Sequence, residues 1–271
     1  MDPAENIIGD ASGNGRDGTV QQASTIEDGV RGRALRFAKS GGSRVVLPNS
    51  ACVAGANPRT IAFWFRTATG VDYRQYAFGF GDDSDGCDVR STFNSRFRGD
   101  GTLGFMGCGA DYDSDAGNGI TVSDGKWHHV AYTFSDGKVT TYTDGQHNWV
   151  YSNSLLDTKC DVAYISSHNG KSYAGYNAGG DIDEFRIYSK ALNNDEVKQL
   201  MAFDMAFDPF LASMVAHYGM DPAENIIGDA SGNGRDGTVQ QASTIEDGVR
   251  GRALRKQLME FDLSYGEVTS R

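Results

Sequence analysis

WHHVAYTFSDGKVTTYTDG, residues 127–145, contains two runs of alternating apolar and polar residues around a Ser135-Asp136-Gly137-Lys138 turn, and Asp144-Gly145 marks the next turn. Alternation at period two sends one set of side chains to a buried face, while Asp-Gly accepts the left-handed backbone of a tight hairpin turn. The stretch therefore predicts an antiparallel hairpin. The same signature recurs outward from it in RVVL at 44–47, TIAFWFR at 60–66 and IDEFRIY at 182–188. Further strand candidates are 76–80, 101–106, 151–155 and 162–165, with Gly and Asp turns between them. Roughly ten short strands imply an all-β sandwich or barrel. One short C-terminal helix is expected over 193–201, where Leu192, Val197 and Leu200 share a face and Asn193 with Glu196 can form a capping box.

Composition supports that reading and removes some functions. The 271 residues are 39% hydrophobic and 11% aromatic, enough for a core, and 35 Gly against 5 Pro suit many tight turns. With 36 Asp plus Glu against 25 Lys plus Arg, the net charge is -11, so nucleic acid is not an expected partner. No run of about 18 apolar residues is present, so membrane insertion is not expected, and the N-terminus lacks signal-peptide features. Up to Leu200 the only glutamates are Glu5, Glu27, Glu184 and Glu196. The acidity is carried by Asp beside Gly, Ser and Asn, which either caps turns or binds hard cations. Cys52, Cys87, Cys108 and Cys160 include no C-x-x-C pair, which leaves zinc and redox chemistry without a motif. In an oxidising compartment Cys87–Cys108 is the favoured pairing; four free, partly buried thiols are the alternative.

An internal repeat organises the chain. Residues 1–36 recur unchanged as residues 220–255, and KQLMEFDL after the second copy matches KQLMAFDM at 198–205. The second copy thus omits every strand candidate between Phe37 and Val197. The domain is expected at 1–206, with 207–271 a truncated duplicate. MVAHYG at 214–219 reads as a strand that the first copy lacks. Folding back, Val215 to Tyr218 would fill the open edge; a disordered tail is the alternative.

DASGNGRDG from Asp10 places Asp10, Ser12 and Asn14 at positions one, three and five and Gly15 at six. That imitates the first half of a calcium loop, although position twelve is Gln21 and not Glu. The acidic stretches at 111–115 and 82–85 are read as solvated loops. His128 and His129 point to opposite faces of a strand and cannot chelate one ion together; they, Trp64 and Trp127 are read as packing residues. Trp149, Tyr151, Tyr173 and Tyr176 are aromatic rings expected near loops and are candidates for contact with a ligand.

Taken together, DASGNGRDGTV, GRALRF, TIAFWFRT, DGKWHHVAYTF, YTDG and GGDIDEFRIYSKALNNDEVKQL resemble, in order, the laminin G-like jelly rolls of the concanavalin A-like lectin and glucanase superfamily. The resemblance implies a two-sheet antiparallel β-sandwich, a structural calcium, and a role in adhesion or carbohydrate binding. It implies that Asp183 and Glu184 complete the calcium site begun by Asp10, because first and last strands are neighbours. It also implies an extracellular or cell-surface location. Glucanases of this fold carry a Glu-x-Asp-x-Glu strand; here Asp181-Ile182-Asp183-Glu184-Phe185 has Phe185 in place of the second glutamate. The expectation is a non-catalytic module with a glycan or an extracellular protein as partner.

Overall fold

A computed structural model describes residues 6–39, 41–67, 75–82, 90–108, 119–152, 155–168, 176–202, 208–220, 226–227, 237–238, 242–248 and 251–256, and of the last four segments the backbone alone. Along the chain come β1 (Ile7–Ile8), β2 (Gly18–Gln21), β3 (Ser24–Ile26), β4 (Ala34–Phe37), β5 (Arg44–Leu47) and β6 (Arg59–Arg66). Next are β7 (Phe78–Gly81), β8 (Phe93–Phe97), β9 (Leu103–Met106), β10 (Trp127–Ser135), β11 (Lys138–Thr143) and β12 (Gln146–Tyr151). The first unit closes with β13 (Val162–Ile165), β14 (Gly180–Tyr188), α1 (Asn194–Ala202) and β15 (Met214–Tyr218). A second unit, Asn225–Arg271, holds β16 (Ile226–Ile227), β17 (Gly237–Thr238), β18 (Ala242–Gly248) and β19 (Gly251–Lys256).

Two antiparallel sheets form a sandwich. One has the order β1-β2-β5-β13-β7-β8-β9; the other runs β12-β11-β10-β6-β14-β4-β3, with β15 also paired to β14. The deciding hairpin forms as its residues dictate. Ser135 pairs with Lys138 across Asp136 (φ 50°) and Gly137 (φ 69°), the two left-handed positions of a primed turn. Asp144 (φ 51°) and Gly145 (φ 68°) repeat the device and lead directly into β12. This corrects the expected strand at 151–155: the strand ends at Tyr151.

The alternation on β6 and β10 sets the layers. Phe63 and Phe65 with Val130, Tyr132 and Phe134 face the other sheet, where Phe78, Phe80, Phe93 and Phe105 meet them. Phe63 stacks on Phe185 at 5.4 Å, and Phe78 meets Tyr132 edge-on at 5.1 Å, arrangements aromatic quadrupoles favour. Ala62, Ala131, Tyr142 and Tyr188 face the other way and are covered by Leu192, Val197 and Leu200 of the helical segment. The expected capping box holds α1: Asn193 Oδ1 accepts from Asp195 N and Glu196 N, both at 3.0 Å, and Asn193 N donates to Glu196 Oε2 at 2.9 Å. Trp64 and Trp127, expected in the core, are half-buried on this outer face, where Trp64 meets His129 at 5.3 Å and Arg66 lies over Trp127 at 4.6 Å.

Cys52 and Cys160 form a disulfide with their Cα atoms 5.7 Å apart, tying the segment after β5 to the one before β13. Cys108 is also disulfide-bonded and no described cysteine is free, which removes the free-thiol alternative. The expected Cys87–Cys108 pair lies outside the described residues, because Cys87 does. Near the disulfide, Arg59 is buried between the rings of Phe93 and Phe134, 5.3 and 5.2 Å from its guanidinium carbon. Its guanidinium donates to the carbonyls of Val53, Gly55 and Asn57.

On β14, Ile182 pairs with Leu35 of β4, whereas Phe185 and Ile187 pair with Tyr218 and Ala216 of β15. The ladder with β6 is interrupted between Asp183 and Arg186, with Glu184 at φ 53°. This bulge divides one strand edge into two docking stretches. Ala216 and Tyr218 are fully buried, and the Tyr218 hydroxyl donates to Arg16 O at 2.5 Å. Truncating a buried aromatic costs about 3–5 kcal/mol, and each kcal/mol lowers the melting temperature of a domain this size by about 2–4 °C. Tyr218→Ala should therefore lower Tm by roughly 10 °C in a calorimetric scan; an unchanged Tm would mean that β15 adds nothing to the sandwich.

Candidate functional site

The loop from Asp10 to Asp17 joins β1 to β2 and lies against β15. Asp10 Oδ1 accepts from Ser12 N at 3.0 Å and from His217 N at 2.9 Å, and Oδ2 accepts from Arg16 N at 3.1 Å. The backbone of Ala11 donates to His217 O at 2.8 Å. Asn14 Nδ2 donates to the carbonyls of Met214 and Val215, both at 3.1 Å; Ser12 Oγ and the Arg16 guanidinium also donate to Val215 O. Asp10, buried itself, organises a loop whose donors then hold a strand some two hundred residues away.

Asp183 and Glu184 sit at the β14 bulge. Asp183 Oδ2 accepts from Arg31 N at 2.9 Å and Oδ1 from Glu184 N at 2.8 Å. A Cβ on Gly29 would lie 2.9 Å from Asp183 Oδ2, so only glycine lets the β3–β4 connection approach this closely. Glu184 accepts from His217 Nε2 at 3.1 Å and from the Arg186 guanidinium. Burial and the adjacent Glu184 charge push the Asp183 carboxyl up. Burial acts on Glu184 in the same sense, but His217 and Arg186 outweigh it and hold that carboxyl well below the usual range.

His217 thus connects the two halves of the metal set: its backbone donates to Asp10 and its ring meets Glu184. The halves come together, yet their oxygens are committed. Calcium wants six to eight oxygens with carboxylates turned toward it. Here both Asp10 oxygens accept backbone amides, Asn14 presents its amide nitrogen, and a guanidinium occupies Val215 O. As they stand these oxygens form a strand clamp, and a calcium ion would have to take them from their present donors.

Of the aromatic candidates that are described, Trp149 and Tyr151 lie on one strand and Tyr176 lies between β13 and β14. Trp149 and Tyr151 are on β12 and point inward, contrary to the exposure expected of them. Trp149 is 7% exposed with the Arg98 guanidinium 4.9 Å from its ring, and Tyr151, 1% exposed, packs on Phe105 at 5.6 Å. Tyr173 lies outside the described residues. Tyr176 is half-buried, 6.4 Å from the ring of Tyr76, which lies 4.6 Å from the His168 ring and donates its hydroxyl to Met106 Sδ at 3.4 Å. Burial lowers the His168 pKa to about 4, so the ring is neutral at pH 7. Tyr76, His168 and Met106 were not singled out in the sequence; the bridge Tyr76↔Asn177, joining distant segments, brings them to Tyr176.

Among the described residues of β14, no two carboxylates are free to act as an acid/base pair. Asp181 is gripped by Arg36 at 2.7 Å and by Arg66 at 2.8 Å, Asp183 and Glu184 are engaged as above, and Phe185 is in the core. His128 instead bridges two acids, with Nδ1 2.8 Å from Asp144 Oδ2 and Nε2 3.0 Å from Asp124 Oδ1. Burial would lower its pKa, but the two carboxylates prevail and raise it.

A family model described as the concanavalin A-like lectin/glucanases superfamily matches residues 39–198. Domain 4 of AbnA, a GH43 extracellular arabinanase from Geobacillus stearothermophilus solved with arabinotriose, is similar with a TM-score of 0.51 and 17% identity, over 72% of this chain and 98% of that domain. Trypanosoma rangeli sialidase in complex with sialic acid is similar with a TM-score of 0.51 and 16% identity, over 68% of this chain. The chain spans only 29% of the sialidase, and likeness at these identities concerns the fold. No curated protein sequence matches the chain.

Two measurements check these readings. Excess chelator should leave Tm unchanged, whereas Asp10→Ala, which strips three backbone amides of their acceptor, should cost about 1–3 kcal/mol; a chelator-induced fall reversed by calcium would contradict the clamp. The folded pKa of His128 lies above its ordinary value of 6.5, so its contribution to stability is complete below that value and is lost as pH rises through the folded pKa. Tm should fall across that window in the parent protein and stay flatter in His128→Gln.

Proposed function

The chain belongs to the laminin G-like family of the concanavalin A-like lectin/glucanase superfamily, and on that footing we propose that it is a non-catalytic carbohydrate-binding or adhesion module. The observation that carries this is the Tyr176 platform. The partly exposed ring of Tyr176 lies beside Tyr76, which is itself held by the buried His168 ring and by Met106, and so offers a supported aromatic face. Sugars are bound by such faces, their C–H surfaces on the ring and their hydroxyls on neighbouring polar groups. Trp149 and Tyr151, spent on packing, are not part of it.

Non-catalytic action is supported by the engagement of the β14 carboxylates. Hydrolysis of a glycoside needs one acid to protonate the leaving oxygen and a second to attack or activate water, both reachable by substrate. The Cys52–Cys160 disulfide supports an oxidising, extracellular setting. No helix among the described residues is long and apolar enough to cross a membrane. The alternative is an interaction domain without a sugar site, where the same face would meet a protein.

The test is a glycan array that includes arabino-oligosaccharides and sialylated glycans, probed with the parent protein, Tyr176→Ala and Trp149→Ala. Tyr176→Ala should weaken binding by about tenfold or more, a loss of about 1.4 kcal/mol, with Tm preserved. Trp149→Ala should lower Tm. Glycan binding that survives Tyr176→Ala, or cleavage of arabinan or β-glucan by the purified protein, would overturn the reading.

A further inference from the structure

The duplicated segment is not absorbed by the sugar-binding reading and does not rest on it. Its two copies share more than sequence. Ile7↔Thr19 and Ile8↔Gly18 recur as Ile226↔Thr238 and Ile227↔Gly237. Likewise Ser24↔Arg36, Thr25↔Leu35 and Ile26↔Ala34 recur as Ser243↔Arg255, Thr244↔Leu254 and Ile245↔Ala253. Both copies therefore make the same two ladders, and those of the first are docked onto larger sheets: β2 onto β5 and β4 onto β14. In the second copy each ladder is a separate two-stranded sheet. The pairing is encoded within the repeated residues, and the edges of β5 and β14 are what they are shaped to meet.

Connectivity supplies a second observation. β15 runs through Gly219 into Met220, the first residue of the second copy, and Met220 is fully buried in the core cluster. The second copy thus begins inside the sandwich. The loop that clamps β15 from the first copy, Asp10, Ser12, Asn14 and Arg16, exists again in sequence as Asp229, Ser231, Asn233 and Arg235. We propose that residues 220–255 are an alternative occupant of the sheet edges filled by residues 1–36, exchanging with them within one molecule. Each copy is tethered next to the edges, the first through β5 and the second through β15, so neither pays for bimolecular encounter. What decides residence is the next residue: Phe37, buried and paired with Gly180, follows the first copy, whereas Lys256 follows the second. An ammonium in place of that aromatic disfavours the second copy, which accords with the first being docked.

Non-additivity tests this in the full chain. Leu35 is buried in the core, and Leu254 is its counterpart. Leu254→Asp alone should leave Tm unchanged. In the Leu35→Asp background the same change should lower Tm by a further 5 °C or so, about 1–3 kcal/mol at this size, because the second copy has taken the edges. Lys256→Phe should raise the Tm of Leu35→Asp. The shifts should be independent of protein concentration and the variants monomeric by sedimentation. Additive effects of Leu35→Asp and Leu254→Asp overturn the exchange. So does a Leu35→Asp protein that stays unfolded with and without Lys256→Phe, or one rescued only as a dimer.

Discussion

Everything in the sandwich leans on the edge of β14, which is shared between two strands from opposite ends of the chain. Below the bulge it pairs with β4, and above it with β15. A regular strand offers one continuous row of amides and carbonyls to one partner. By placing Glu184 in the left-handed region, β14 breaks the row, re-aims the strand and lets the two partners sit end to end. The Asp10 loop, the β3–β4 connection over Asp183 and the ring of His217 all converge on this break.

The polar groups gathered there are costly to bury and persist because they satisfy one another. Arg186 and His217 compensate Glu184, and backbone amides compensate Asp183. Such a cluster specifies register, since slipping either partner strand by one residue would leave a buried charge without its partner. The carboxylates of β14 are used for assembly, and the ring of Tyr176 lies away from them, beside Tyr76.

Much of this was legible in the residues. Asp136-Gly137 and Asp144-Gly145 announced their turns because few other pairs adopt consecutive left-handed conformations, and Asn193 with Glu196 announced the helix start. The alternation also held an unused signal: with Phe63 and Phe65 inward, Trp64 had to face outward. What stayed hidden depended on long-range pairing. β8 carries little local signal, since Asn94 and Ser95 are residue types common in loops, yet Ser95 Oγ is buried and accepts from Ala77 N and Phe78 N. β12 begins with polar Gln146 and His147, exposed at the sheet edge, so Trp149 and Tyr151 read as loop aromatics although they are buried. In the Asp10 loop the composition was plain, but whether its oxygens meet a cation or an amide depends on β15, which no local pattern reveals.

The position of β15 also fixes the order in which a nascent chain can finish folding. The two central hairpin strands and their partner β6 emerge early and close with local or moderate sequence separation, but the far stretch of the β14 edge waits for residues 214–218 to leave the ribosome. Until then Phe185 and Ile187 have no outer neighbour, and the Asp10 loop, made two hundred residues earlier, has nothing to grasp. During synthesis the sandwich is therefore nearly complete but open along one seam. That interval exposes an unpaired strand to whatever chaperone or neighbouring polypeptide is at the tunnel exit.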